Sequence, residues 1–327
     1  MPRALGTCAT LWRRRGSESV NSRAVGPRRA PRLADVLCGM AAAGALCLSS
    51  APAHAWGDEG HEVIALIADH YLEPQVRARV QAILDGDDSD LTARDIAHEA
   101  TWADKYRDSD RNSTKERYER THNWHFVDLE LDGADEDGAC YGHPELPPGT
   151  QASAGPARDC VIDKIDEFAA ELRNPRTDAP ERRLALQYIL HFVGDLHQPL
   201  HAADDHDRGG NRKIVRAPGI RSHNLHHDWD TEFVARLGAD ETEIAQRLIA
   251  HISPSQRRRW SAGTPADWAM ESFSVAKSHA YAHLQGTVRP DHYELTAAYV
   301  ADATAVTAEQ LSKAGVRLAH MLNQSLR

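Results

Sequence analysis

The chain has 327 residues, of which 41% are hydrophobic and 26% are charged, and its formal net charge is −10. Without the eight arginines and two acidic residues of positions 1–55, 30 basic and 46 acidic side chains remain, a charge of −16. Proteins that hold nucleic acid on a broad basic surface have the opposite sign, so this class of binder is excluded. The length is enough for one large domain with a substantial core.

The first 55 residues have the pattern of a targeting segment. Eight arginines lie within residues 3–32, an apolar stretch runs from Val36 to Leu48, and the small-x-small triplet Ala53-His54-Ala55 follows. The apolar stretch is too short to span a membrane. We therefore expect residues 1–55 to be removed and residues 56–327 to form a single secreted or periplasmic domain. The Arg28-Arg29 pair leaves a twin-arginine export route open.

The remaining chain has mainly helical patterning, which predicts an all-α fold with minor β content. Apolar residues recur at helical spacing from Ile64 to Leu84. Proline and glycine predict a loop over 131–157, and strand signals are limited to 123–129 and 212–216. The further predicted helices cover residues 90–106, 158–172, 180–198, 228–237, 240–252, 265–283 and 291–322.

Two of the five cysteines, Cys140 and Cys160, lie beyond the expected leader and flank the predicted loop. In an exported chain an even pair is more often a disulfide than a thiol site, so we expect a disulfide between them.

Histidine and aspartate occur twice at a spacing of four, as His191/Asp195 and His226/Asp230. On a helix such residues project about 40° apart, so both side chains can reach one metal ion. A single pair could equally be a salt bridge or a polar face. Two pairs in one chain with three further candidates favour metal binding. These further candidates are His61, Asp104 and His125.

Two other histidines follow the first pair. Pro199 breaks the predicted helix, so His201 can turn back toward the site. His197 falls off the ligand face and is interpreted either as a structural residue or as one that supports a metal ligand without binding the metal. Imidazole and carboxylate donors without cysteine favour zinc in a catalytic site.

Trp56 would become the first residue after cleavage. Its side chain could simply cap the core. Its free α-amine, with an ordinary pKa of about 7.7–8.0, could instead bind a metal together with its carbonyl.

Six motifs, in order, resemble those of the S1/P1 nuclease family and span essentially all of residues 56–327. They are Trp56-Gly-Asp-Glu-Gly-His61, Trp102 to Arg107, His125 to Asp128, His191 to His201, Gly209-Gly-Asn211 and Asn224 to Asp230. The resemblance implies a single-domain, multi-helix fold of the phospholipase C/P1 nuclease type and three zinc ions.

The resemblance also implies how the ligands are shared. The first zinc would be held by Asp104, His125, His191 and Asp195. The second would take the Trp56 amine and carbonyl, His61 and a bridging Asp195. The third would take His201, His226 and Asp230.

Three further residues resemble the family's substrate contacts. Arg107 would contact the scissile phosphate, although a surface ion pair with Asp108 or Asp110 is the alternative. Phe126 would stack on a base, unless it is a plain core residue, and Asn211 would make a polar contact. Asp104 would also act as a catalytic residue by orienting or deprotonating the attacking water.

The implied activity is hydrolysis of single-stranded DNA and RNA to 5′-phosphate products, together with 3′-nucleotidase activity. We expect a monomer without a stable protein partner. A zinc-dependent phospholipase C is the first alternative. In phospholipases C of this type, the first histidine lies much farther from the terminal tryptophan, and the last ligand is glutamate. Here His61 follows Trp56 by five residues, and the last ligand is Asp230. A non-catalytic zinc protein is the second alternative, although Asp104 and Arg107 are both present. His223 and His227 flank His226 and could compete with it or tune it.

Overall fold

The computed structural model describes residues 56–327, and the expected leader and its cleavage site lie outside the described residues. Helices dominate this part of the chain, which confirms the predicted fold class. The α-helices are α1 (Asp58–Tyr71), α2 (Pro74–Leu84), α3 (Ile96–Glu99), α4 (Trp102–Asp108), α5 (Glu116–Thr121), α6 (Glu136–Ala139), α7 (Val161–Arg173), α8 (Ala179–Asp195), α9 (Leu225–His227), α10 (Phe233–Ala235), α11 (Glu241–His251), α12 (Pro254–Trp260), α13 (Pro265–Val275) and α14 (Ala297–Ser325).

Shorter helical turns and one small sheet complete the structure. Turns of 3-10 helix cover His122–His125, Ala152–Ala154 and Pro199–His201, and π-helical turns cover Asp228–Glu232 and Ala276–Tyr281. The strands are β1 (Ile214–Ala217), β2 (Ile220–Asn224), β3 (Gln285–Gly286) and β4 (His292–Glu294), in the order β2-β1-β4-β3. The outer pairs are antiparallel, and β1 runs parallel to β4.

Helix α8 is the central element around which the site is built. Asp178 caps its N-terminus by accepting a hydrogen bond from the Glu181 amide, and the helix is buried continuously from Ala185 to Asp195. A helix that is buried on all sides must be surrounded by other elements. Helices α1, α7 and α14 pack against it, and α1 also packs along α14.

Three local predictions are wrong, each for a specific reason. The predicted helix over 90–106 is divided, because Asp95 caps α3 and a second helix, α4, starts after Thr101. The predicted strand over 123–129 begins as a 3-10 turn, and its extended part bonds to residues 201–204 instead of joining the sheet. The helix predicted from 291 begins at Ala297, because Thr296 caps it and His292–Glu294 form β4.

The predicted disulfide between Cys140 and Cys160 is present. Its S–S distance is 2.04 Å, and it links the region after α6 to the residue before α7. No helix within residues 56–327 is long and apolar enough to cross a membrane.

Candidate metal centre

Five buried side chains from four separate elements meet at the C-terminal end of α8. We call this set the inner cluster. Helix α8 contributes two of its members one turn apart, and α1, α4 and the 3-10 turn before Phe126 contribute one each. All five are at most 2% exposed. The members are His61, Asp104, His125, His191 and Asp195.

Four ligand atoms of the inner cluster surround one point. Nε2 of His191 lies 3.4 Å from Oδ1 of Asp104 and 3.3 Å from Oδ2 of Asp195. Nδ1 of His125 lies 3.4 Å and 2.9 Å from the same two oxygens. Ligands bound tetrahedrally at about 2.0–2.2 Å are separated by roughly 3.3–3.6 Å, so these atoms have nearly the spacing of a zinc site.

The two oxygens of Asp195 face different histidines. Oδ2 faces His125 and His191, while Oδ1 lies 3.4 Å from Nε2 of His61. The ring of His61 stacks on that of His191 with 3.8 Å between centroids. Asp195 is therefore placed between two groups of donors.

Trp56 lies beside both the inner cluster and the segment that contains Asp230. Its indole is fully buried, and Nε1 donates a 2.9 Å hydrogen bond to the carbonyl of Gly194. The next amide, Gly57 N, donates to the carbonyl of Asp230 at 2.9 Å. The side chain of Trp56 therefore belongs to the core. Its hydrogen bond to Gly194, together with the bond from Gly57 to Asp230, holds the backbone of Trp56 near the predicted ligands.

The outer cluster consists of His201, His226 and Asp230, all at most 7% exposed. Nε2 of His201 lies 3.2 Å from Nε2 of His226, which in turn lies 3.5 Å from Oδ2 of Asp230. Gln198 donates a 2.5 Å hydrogen bond to the other oxygen of Asp230. The two clusters are joined directly, because Nδ1 of His201 bonds to the carbonyl of His125 at 2.8 Å.

Backbone carbonyls fix the orientation of three of these histidines. Nδ1 of His191 bonds to the Ala100 carbonyl at 2.7 Å, and Nδ1 of His226 bonds to the Gly209 carbonyl at 2.6 Å. A carbonyl can only accept, so Nδ1 carries the proton and Nε2 of a neutral ring presents a lone pair. In the outer cluster two such lone pairs face each other at 3.2 Å, an arrangement that a cation between them would stabilise.

The electrostatics of the outer cluster agree with this assignment, whereas in the inner cluster Asp195 and Asp104 outweigh burial and raise the pKa of His191 to about 9. Burial lowers the pKa of His201 to about 3 and that of His226 to about 4, so both rings are neutral at pH 7. Burial raises the pKa values of Asp195 and Asp230 well above the usual range. Within residues 56–327, Oδ1 of Asp195 and Oδ2 of Asp230 have no hydrogen-bond donor. Buried carboxylates without donors are costly unless a cation compensates them.

The match to a family model decides what kind of protein carries this centre. The model for S1/P1 nucleases matches residues 56–327. The chain belongs to the S1/P1 nuclease family.

Three relatives match the sequence of this chain over most of their own length. Nuclease S1 of Aspergillus oryzae is 29% identical over 293 residues, covering 83% of this chain and 91% of the relative. Nuclease P1 of Penicillium citrinum is 28% identical over 297 residues, covering 82% and 97%. Endonuclease 2 of Arabidopsis thaliana is 27% identical over 289 residues, covering 83% and 90%. These relatives support a hydrolytic nuclease.

Arg107 is buried beside the inner cluster of this S1/P1 family member. It is 5% exposed, and its Nη1 lies 2.6 Å from Oδ1 of Asp104. Asp108 accepts two further hydrogen bonds from the guanidinium, at 3.0 and 3.1 Å. Burial disfavours the charged form, but Asp104 and Asp108 outweigh it and raise the pKa of Arg107. Arg107 therefore does pair with Asp108, but the pair is not on the surface, because Arg107 is buried.

Phe126 and Asn211, the two other predicted substrate contacts, are both partly buried. Phe126 follows His125 directly, is half-buried, and belongs to neither hydrophobic cluster of the described residues. Asn211 donates to the Arg208 carbonyl at 2.9 Å and accepts a 3.4 Å bond from Asn224, which caps α9. Neither placement identifies a substrate contact by itself, so both roles stay predictions.

Gly194 and Gln198 lie inside the His191-to-His201 motif, but their spacing does not predict what they contact. Gln198 holds both Asp230 and the Leu200 amide, at 2.5 and 2.6 Å. Gly194 leaves room for His61, since a Cβ atom there would lie 2.8 Å from its Nδ1. The residue interpreted as structural, His197, bonds to the Val193 carbonyl and to Arg317 at 2.6 and 2.7 Å.

Proposed function

We propose that this chain is an exported, zinc-dependent nuclease that cleaves single-stranded DNA and RNA to 5′-phosphate products. We also propose that it removes the phosphate of 3′-nucleotides. The observation that carries this proposal is the division of Asp195 between two donor groups, with the outer cluster bonded to the inner one through His201 and His125. Such a centre can bind several cations side by side around one substrate phosphate.

The donors of both clusters suit zinc. Every member is an imidazole or a carboxylate, and no cysteine takes part. Two histidine lone pairs face each other, and buried carboxylate oxygens lack donors among the described residues. Both features are expected of a cation site whose histidine tautomers are fixed.

We assign three zinc ions. One would be held by Asp104, His125, His191 and Asp195. The second would be held by His61, the other oxygen of Asp195, and the amine and carbonyl of Trp56. The third would be held by His201, His226 and Asp230.

When bound, zinc supplies a Lewis acid and lowers the pKa of water to about 7. The residues of the chain do the positioning. Asp104 would orient the attacking water or accept its proton. Arg107, fixed by Asp104 and Asp108, offers positive charge to the phosphate oxygens as charge develops there. Phe126, half-buried beside His125, would stack on an unpaired base, which favours single strands and tolerates any sequence.

The acidic surface is compatible with this substrate. The local charge of the metal centre, rather than the charge of the whole chain, would attract the phosphodiester. We further propose that the leader of residues 1–55 is removed, that residues 56–327 act as one domain, and that the protein is a monomer. The disulfide supports an oxidising location.

The decisive experiment is an assay of protein that begins at Trp56. Denatured DNA, RNA, a 3′-nucleotide and a phosphatidylcholine analogue would be tested with and without a chelator, for the wild type and for Asp104→Asn. Asp132→Asn is the control, because Asp132 is 77% exposed. We expect chelator-sensitive cleavage to 5′-phosphates, lost only in Asp104→Asn.

Two other outcomes would refute the proposal. Cleavage of the lipid analogue alone would identify a phospholipase C. No turnover by correctly processed, zinc-loaded protein would leave a non-catalytic zinc-binding protein.

A further inference from the structure

A third group of ligand-type side chains lies next to the outer cluster. It contains His223 at the end of β2, His227 in α9 and Glu232 in the π-helical turn. One ligand atom from each lies within 4.8 Å of the other two. None of these three residues has a role in the proposed nuclease centre.

Asp228, the buried residue beside them, has no hydrogen-bond donor among residues 56–327. Its side chain is 0% exposed, and within the described residues neither carboxylate oxygen has a hydrogen-bond partner. Oδ1 nevertheless lies 3.3 Å from Nδ1 of His223, which has no hydrogen-bond partner there either. A fully buried carboxylate is normally bonded, paired or bound to a metal.

Local structure explains why the four residues converge. Pairing of His223 with Val215 fixes the end of β2, and the chain then turns directly into α9. The following π-helical turn spans Asp228 to Glu232, so it starts and ends with a carboxylate. Nδ1 of His223 lies 3.9 Å from Oε1 of Glu232. π-Helical turns occur frequently at functional sites.

We propose that His223, His227, Asp228 and Glu232 form a fourth metal site that binds a late first-row divalent ion such as Zn²⁺ or Cu²⁺. The donor set of two imidazoles and two carboxylates suits such ions. The 3.3 Å separation of His223 Nδ1 and Asp228 Oδ1 equals that of two ligands of one tetrahedral ion, about 3.3–3.6 Å. Oε1 of Glu232 lies 3.9 Å from the same nitrogen.

The site is accessible from solvent on one side. The side chains of His223 and Glu232 are 29% and 30% exposed, whereas Asp228 lies at the buried end. An ion can therefore enter without unfolding the chain. It would lie beside His226 and Asp230 in the sequence and would bind independently of whether the nuclease proposal holds.

The test counts metal ions per chain by mass spectrometry after equilibration with Zn²⁺ and desalting. Wild type is compared with His223→Gln and Glu232→Gln, two partly exposed positions where folding should survive. The matched control is His206→Gln, because His206 is 67% exposed and also faces two carboxylates, at 3.1 and 3.5 Å. We expect one equivalent fewer in both test variants and no change in the control.

Two additional measurements keep the result unambiguous. In an Asp230→Asn background, which weakens the outer cluster, His223→Gln should still remove one further equivalent. With Cu²⁺, electron paramagnetic resonance should show one nitrogen-ligated signal, in addition to those of the nuclease centre, that the His223→Gln spectrum lacks. Equal metal content and equal spectra in wild type and His223→Gln would overturn the proposal and leave His223 and Asp228 as an ion pair.

Discussion

The backbone of Gly194 lies directly against the imidazole of His61, so that a Cβ atom at position 194 would lie 2.8 Å from Nδ1. Alanine is preferred over glycine inside helices by about 1 kcal/mol, so propensity alone favours Gly194→Ala. The contact opposes this, because His61 would have to move away from Asp195. We expect Gly194→Ala to keep its helical circular dichroism but to lose at least about tenfold in zinc affinity and in nuclease activity.

The control for this substitution is Gly133→Ala. A Cβ atom at position 133 would meet no atom of the described residues within 4 Å, and Gly133 lies outside both clusters, so its alanine variant should retain full activity. Unchanged zinc affinity in Gly194→Ala would show that the position of His61 does not matter for the metal.

Gln198→Ala should affect the outer cluster selectively. The amide holds Asp230 through a 2.5 Å hydrogen bond, and losing such an orienting contact typically costs 10–100-fold in metal affinity. Isothermal titration should show one weakened zinc and unchanged binding of the others, and Gln324→Ala, at an exposed position, should match the wild type. Equal weakening of all three sites would contradict this assignment.

Asp195→Asn should affect two metals at once. The amide keeps the size of the side chain, but its nitrogen cannot ligate, so one of the two donor groups loses a ligand and the other keeps only a neutral oxygen. We expect the variant to bind about two zinc ions fewer and its activity to fall by roughly a thousandfold or more. Loss of a single ion would show that Asp195 does not bridge.

The α-amine of Trp56 can be tested by changing the chain length. One serine placed before Trp56 converts the amine into an amide while leaving every side chain in place. We expect about one zinc equivalent fewer, whereas one serine added after Arg327 should have no effect. The same metal content in both extended chains would remove the amine from the ligand set.

The stability of the fold should depend on the ionisation of Glu99. Burial raises the pKa of this carboxyl to about 7. A 2.8 Å hydrogen bond from Gln187 lowers the pKa, but by less than burial raises it. Because the folded state holds the proton more tightly than the unfolded state, this group's stabilisation is complete below about pH 4.5. It is lost as the pH rises through 7.

Glu99→Gln should remove this dependence while keeping the hydrogen bond to Gln187. We expect the variant to be more stable than the wild type at pH 8, by on the order of 1–3 kcal/mol, and to resemble it at pH 5. Urea unfolding at the two pH values measures the difference. The same stability difference at both values would rule out ionisation of Glu99 as its cause.

Sequence patterns predicted those site residues whose relative positions are set by neighbouring residues in the chain. His191 and Asp195 meet because the helical period alone places residues four apart on one side of α8. The bend that returns His201 follows from Pro199, which starts a 3-10 turn. The all-α fold class and the disulfide were equally accessible, since apolar spacing and paired cysteines are local signals.

The remainder depends on contacts between distant segments. The carbonyls that orient the histidines come from residues 17 to 91 positions away, and the bond from Gln198 to Asp230 spans 32 positions. No spacing rule reports such contacts. The strand predicted at 123–129 failed for the same reason, because its partner is the segment at 201–204 rather than a sheet.

The bond between Cys140 and Cys160 gives the centre a dependence on its chemical surroundings. The residue after Cys160, Val161, donates its amide to the carbonyl of Phe126 at 3.1 Å, so the disulfide borders the backbone that also carries His125. Closing a loop of this length stabilises the folded state by about 3 kcal/mol. In a reducing cytosol that contribution would be absent. With the proposed export, the protein would reach its full stability only outside the reducing cell interior, which would separate its nuclease activity from the cell's own nucleic acids.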